Sequence, residues 1–176
     1  VCLNKSIKKK NNPNLLISCN TKKKRKRKRM SSRKSFTEAP THEIYFEEDN
    51  QLAIIHFKRN IEDDDEFASF LCDCDSLYET KSKFVLYIDP SNLTYVSPTY
   101  IYGIATYMKE NEKNTKKYVS SLGIMVRSSI VRGIIEAIKK IKTPTIPWNL
   151  ISSDETYKNW KQSLYDDAVM FPVSDM

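Results

Sequence analysis

Glycine is nearly missing from this chain: Gly103, Gly123 and Gly133 are the only three among 176 residues. Three isolated glycines build neither a Gly-rich phosphate loop nor a nucleophile elbow. Histidine is scarcer still, with His42 and His56 alone. Both fall on expected strands, without a Ser or Cys partner at a recognisable catalytic spacing, so a structural role is the simpler reading of each. Cysteine numbers four. Cys2 and Cys19 lie near the start, and Cys72 and Cys74 stand two apart on an expected helix, pointing to different faces. No CxxC and no zinc-type Cys/His spacing is present. The thiols read as free, in a reducing compartment. No run approaches the roughly 18 apolar residues of a membrane span, and no secretory signal is visible. Asn92-Leu93-Thr94 matches the glycosylation sequon, but nothing else points to secretion. No catalytic residue, metal site or cofactor is expected.

Charge is unevenly placed. Residues 1–40 hold 14 of the 29 basic groups and a single acid, Glu38, for a net charge of +13. The other 136 residues carry a net −6. A basic arm, residues 1–40, is therefore joined to a mildly acidic body, residues 41–176. The arm is rich in Lys, Asn and Ser, and like-charge repulsion opposes its compaction, so disorder is expected there. Its centre is eight consecutive cations, Lys22, Lys23, Lys24, Arg25, Lys26, Arg27, Lys28 and Arg29. Such a run serves as a nuclear-localisation signal, as a sequence-blind, salt-sensitive contact to nucleic acid, or as a contact to an anionic membrane. The plain alternative is a solubilising tail. The frequent Lys, Asn, Ile and Tyr suit an AT-rich genome, such as a virus or protist carries.

The body alternates strands and helices. His42 to Glu47 and Leu52 to Lys58 read as two strands joined by a hairpin turn at Glu48-Asp49-Asn50-Gln51. Glu62 to Glu66 looks like an acidic motif, but acids also favour the positive end of a helix. Phe67, Phe70, Leu71, Cys74, Leu77 and Tyr78 supply that helix with one apolar face. Lys109 to Lys117 reads as a charged loop, and Tyr118 to Val126 as a strand. Ser128 or Ser129 caps a helix whose Ile130, Ile134, Ile138 and Ile141 stack on one side. Ile146 to Ile151 is a short strand. Ser152 and Glu155 have capping-box spacing before a last helix with Tyr157, Trp160 and Leu164. The expected fold is α/β: a mixed sheet with an N-terminal hairpin, then βαβαβα, helices packed on the sheet. Right-handed crossovers make the last three strands parallel.

The stretch Phe84 to Lys109 organises this body. A short apolar run, Phe84 to Ile88, ends at Asp89 and the polar turn Pro90-Ser91-Asn92. Ser97 is a good N-cap, and Pro98 would sit first in the helix, where its missing N–H costs nothing. Asp89 ends a central strand, the place where α/β sheets commonly bind ligands. A bond from Asp89 to its own turn is the simpler expectation.

This order, and the central stretch above all, resembles a STAS domain (sulfate transporter and anti-sigma-factor antagonist). Asp89-Pro90-Ser91-Asn92-Leu93-Thr94-Tyr95-Val96 parallels that family's strand end and loop, and Ser97-Pro98-Thr99-Tyr100 falls where its Asp-Ser-Ser-Gly-like signature opens a helix. The resemblance covers about residues 42–165. It implies a stand-alone regulatory module that binds a protein partner. In regulatory STAS proteins a serine at that helix start is phosphorylated. Pro98 holds the matching position here and has no hydroxyl, whereas Ser97 and Thr99 flank it at a helix N-terminus that favours an added dianion. The expected partner surface is Asp89, Ser91, Asn92, Ser97, Pro98, Thr99 and Tyr100. Two other classes stay open: a nucleic-acid-binding protein acting through its arm, and an α/β pocket for a lipid or small ligand. The oligomeric state stays open too. An intracellular location is expected, in the nucleus if the source is eukaryotic or viral.

Overall fold

The computed structural model describes residues 33–47 and 51–170, with the backbone alone for 33–35 and 165–170. The order is β1 (Arg33–Glu38), β2 (His42–Glu47), β3 (Leu52–Phe57), α1 (Asp64–Tyr78), β4 (Phe84–Asp89), α2 (Pro98–Glu110), α3 (Glu112–Tyr118), β5 (Val119–Met125), α4 (Ser129–Ile141), β6 (Trp148–Ile151) and α5 (Asp154–Met170). The six strands form one mixed sheet in simple sequential order, β1 to β6. β1, β2 and β3 pair antiparallel, and β3 to β6 are parallel. The expected α/β fold with a mixed sheet is the observed one.

Each parallel step advances one strand in the same direction through a helical crossover. Right-handed crossovers of this kind place their helices on a common face. On that face Phe67, Phe70 and Leu71 of α1 pack on Ile55 and Phe57, and Val131 and Ile135 of α4 pack on Leu122 and Ile124. The other face holds Ile54, Tyr87, Met125 and Ile151, covered by Tyr157 and Trp160 of α5. Alternate residues of β3 thus serve opposite faces, which is why LAIIHFK is nearly continuous in apolar character.

Local capping sets the helix starts. Asp63 accepts from the Glu66 N–H at 2.8 Å, so the acidic run is a helix opening. Ser97 caps α2 with Pro98 in its first turn, and Ser128 caps α4. The last helix is capped one residue later than expected: Ser153, not Ser152, accepts from the Thr156 N–H at 3.1 Å.

Other expectations are corrected. Arg33–Glu38, expected to belong to the disordered arm, is a strand, paired from Arg33 opposite Glu47 to Glu38 opposite Glu43. Phe36 makes an edge contact with Phe46, ring centroids 5.9 Å apart, and this apolar contact anchors a segment that its neighbours Arg33 and Lys34 disguise as arm. The body therefore includes residues 33–40. The run Lys22–Arg29 lies outside the described residues. Lys109 to Lys117 is not a loop. α2 continues to Glu110, and α3 follows at once, because Glu112 meets Lys116 one turn on at 2.8 Å and Lys142 of α4 at 2.8 Å. The charges that suggested a loop are helix pairs. Cys74 is a free thiol.

Candidate docking surface at the carboxyl edge of the sheet

The segment from Asp89 to Ser97 crosses the carboxyl ends of the central strands, and side chains fix its path. Asp89 accepts from both the backbone N–H (3.0 Å) and the hydroxyl of Ser91. Asn92 donates through Nδ2 to the Phe57 carbonyl at 3.0 Å, tying the turn to the end of β3. Asn60 does most of the remaining work. Its Oδ1 accepts from the N–H groups of Thr94 (2.9 Å) and Tyr95 (3.3 Å), and its Nδ2 donates to Thr94 Oγ1 at 2.9 Å. Ser97 Oγ accepts from the Thr99 N–H at 3.3 Å and closes the segment onto α2. These bonds leave a loop with a single, held course and no regular secondary structure of its own.

The loop has two sides. Pro90 and Leu93 turn inward and are buried. Asn92, Thr94, Tyr95, Pro98 and Thr99 are exposed, while Asp89, Ser91 and Ser97 are half-buried. Tyr95 is 60% exposed and Tyr102 55%. Helical spacing sets Tyr102 on the face of Pro98 and Thr99. Tyr100 corrects the expected surface, because it is buried. Its ring stacks on Phe67 with centroids 4.6 Å apart, and its hydroxyl donates to Asp64 at 3.2 Å. Burial raises the pKa of that hydroxyl. Gly103 makes the stacking possible: a Cβ there would stand 2.6 Å from the Phe67 ring.

Two residues that sequence left apart meet here. His56 and Asp89 are register partners on neighbouring parallel strands, with Nδ1 3.5 Å from Oδ2. With Ser91 this makes a Ser–Asp–His contact chain in which the carboxylate stands in the middle. A triad nucleophile needs its serine bonded to the imidazole, whereas here Ser91 and His56 each meet Asp89. His42 is fully enclosed between Thr41 (2.9 Å) and Asp73 (3.2 Å), a structural position. Among the described residues no group of three or more His, Cys, Asp and Glu is arranged to hold a metal ion. No described helix is long and apolar enough to cross a membrane.

Beneath the loop lies a cavity of about 200 Å³ between the sheet and helices α1, α2 and α4. Pro90, Leu93 and Val96 form part of its wall, so the inner side of the docking loop is also the cavity's roof. The wall is almost wholly aliphatic and aromatic. Three of its hydroxyls are occupied: Tyr107 donates to Asp75 at 2.9 Å, and Tyr78 shares a bond with Thr115 at 3.0 Å. Burial pushes the Cys74 thiol and the Tyr78 and Tyr107 hydroxyls upward, so these groups stay neutral.

Asn60, Tyr95 and Tyr102 were not singled out from sequence. Asn60 lies 34 residues before Thr94, so no local pattern announces their bond. No family model and no curated protein matches this chain.

Proposed function

We propose that the protein is a non-enzymatic interaction module of STAS type, which docks a protein partner through the loop from Asp89 to Ser97 and the first turn of α2. One observation carries this reading. A loop held by Asn60, Asp89, Asn92 and Ser97 still presents Tyr95 60% exposed. A rigid, amphipathic tyrosine is the kind of residue that anchors interfaces at low entropic cost. Thr99 stands exposed at the N-terminus of α2, where an added phosphate would alter the same surface.

The test replaces Tyr95 with the photo-crosslinking residue p-benzoylphenylalanine in the full chain, in the protein's own cells. A discrete protein adduct that disappears with Thr99→Glu is expected. Adducts no different from those formed by the same probe at Lys158, exposed on α5, would contradict the reading.

A second reading concerns the arm and rests on its net charge of +13 against −6 in the rest. Lys22 to Arg29 would act as a nuclear address or as a contact to polyanions. Because β1 begins at Arg33, the test keeps the chain whole and changes the eight cations to Ser. Duplex binding that is lost in this variant, and that weakens steeply with salt in the parent, marks a phosphate contact. Weak binding by both leaves the address alone.

A further inference from the structure

The cavity under the docking loop is the feature that neither the interaction reading nor the arm uses. Its wall runs from Phe57 and Phe70 on one side, past Leu86 and Leu122, to Ile135 and Trp148 on the other. Phe57, Leu86, Leu122 and Trp148 come from β3, β4, β5 and β6, and Phe70 and Ile135 from the covering helices, so the space extends across about three strand spacings, roughly 14 Å. No lysine, arginine or carboxylate belongs to the wall, and of its four hydroxyls those of Tyr78, Thr115 and Tyr107 are bonded within the protein, which leaves that of Thr145, just before β6. An occupant therefore finds contact surface and nothing that would hold a charge or a ring bearing several polar groups. Water gains too little there, because a buried water needs polar partners.

We propose that this cavity is a binding site for one unbranched aliphatic chain, the acyl or alkyl part of a lipid, lying between the sheet and helices α1, α2 and α4. The length fits roughly ten to twelve carbons in extended form, given three strand spacings. The polar end of the molecule stays outside the apolar wall. The chain contacts the inner faces of Pro90, Leu93 and Val96, and so supports the loop from below.

The two tryptophans make the site testable. Trp148 lines the cavity, whereas Trp160 packs on the opposite face of the sheet. The probe is 11-bromoundecan-1-ol, uncharged and carrying a heavy atom that quenches tryptophan on contact, titrated into the full-length chain. Saturable quenching is expected, retained in Trp160→Phe and lost in Trp148→Phe. Across unbromated alcohols competing with the probe, each added methylene strengthens binding about fourfold, until the cavity length is reached and the gain stops. Quenching that follows Trp160, quenching that never saturates, or binding with no length limit would overturn the proposal. If Trp148→Phe fails to fold, Trp160→Phe still decides, since its emission comes from Trp148 alone.

Discussion

The ring of Trp160 lies directly over Gly123. A Cβ built on that glycine would stand 2.6 Å from Cη2 of the indole. Gly123 sits in the middle of β5, where a side chain would ordinarily help the sheet, and its absence lets α5 close on the second face. Gly123→Ala is expected to push α5 away from Tyr87 and Met125 and to destabilise the fold by about 1–3 kcal/mol, the usual cost of forcing extra volume into a packed site. Denaturant unfolding followed by Trp160 emission checks this. A variant as stable as the parent would show that α5 is held by other contacts.

That packing also marks where sequence reading stops. The alternation of strands and helices was legible, because each apolar face has its own period: Ile44 and Phe46 on β2, and Phe67, Phe70, Leu71 and Leu77 on α1. Ser97-Pro98 announced the start of α2 by cap chemistry alone. The misses have physical causes. Phe36 was hidden among cations, although its ring packs edge-on to Phe46 in a strand that the β2 ladder and the Thr37–Asp73 bond also hold. Glu112 and Lys116 looked like loop charges because Glu112 is held not only within α3 but also by Lys142 at the end of α4, a pairing that spans two helices. Tyr100 carries a ring that suits either side of a surface, and only its stacking on Phe67 assigns it to the inside. The cavity is a matter of volumes left unfilled, which no pattern of residue types records.

Glu112 gives the clearest pH signature. Bonds from Lys116 and Lys142 hold its carboxyl down at about 2, below a usual value of 4.5. A carboxylate depressed on folding adds stability above the unfolded value, and that stability is lost as pH falls through the folded one. Melting temperatures of the parent and Glu112→Gln should therefore differ at pH 7, converge between about pH 4.5 and 2, and coincide below. A gap that is constant across that range would contradict the pairing.

Cys74 keeps partial exposure as a residue, but its thiol faces the cavity. Burial, with Asp75 and Asp73 adding repulsion, pushes that thiol far above its ordinary value. The reactive species is the thiolate, so iodoacetamide at pH 8 is expected to leave Cys74 untouched in the folded protein and to modify it in denaturant. Peptide mapping by mass spectrometry reads the outcome. Rapid native labelling would mean that α1 opens readily over the cavity.

The most direct measurement is the affinity of the full-length chain for the partner captured at position 95, compared with Tyr95→Ala and Asn60→Ala. Truncating an anchoring tyrosine should cost about 2 kcal/mol or more, roughly a thirtyfold loss. Asn60→Ala removes the bonds that set the loop while leaving Tyr95 in place, and should cost about 1 kcal/mol, roughly fivefold. That ordering, with both folds intact, is what a pre-organised docking loop requires. Binding by both variants at parental strength would show that the partner meets this protein elsewhere.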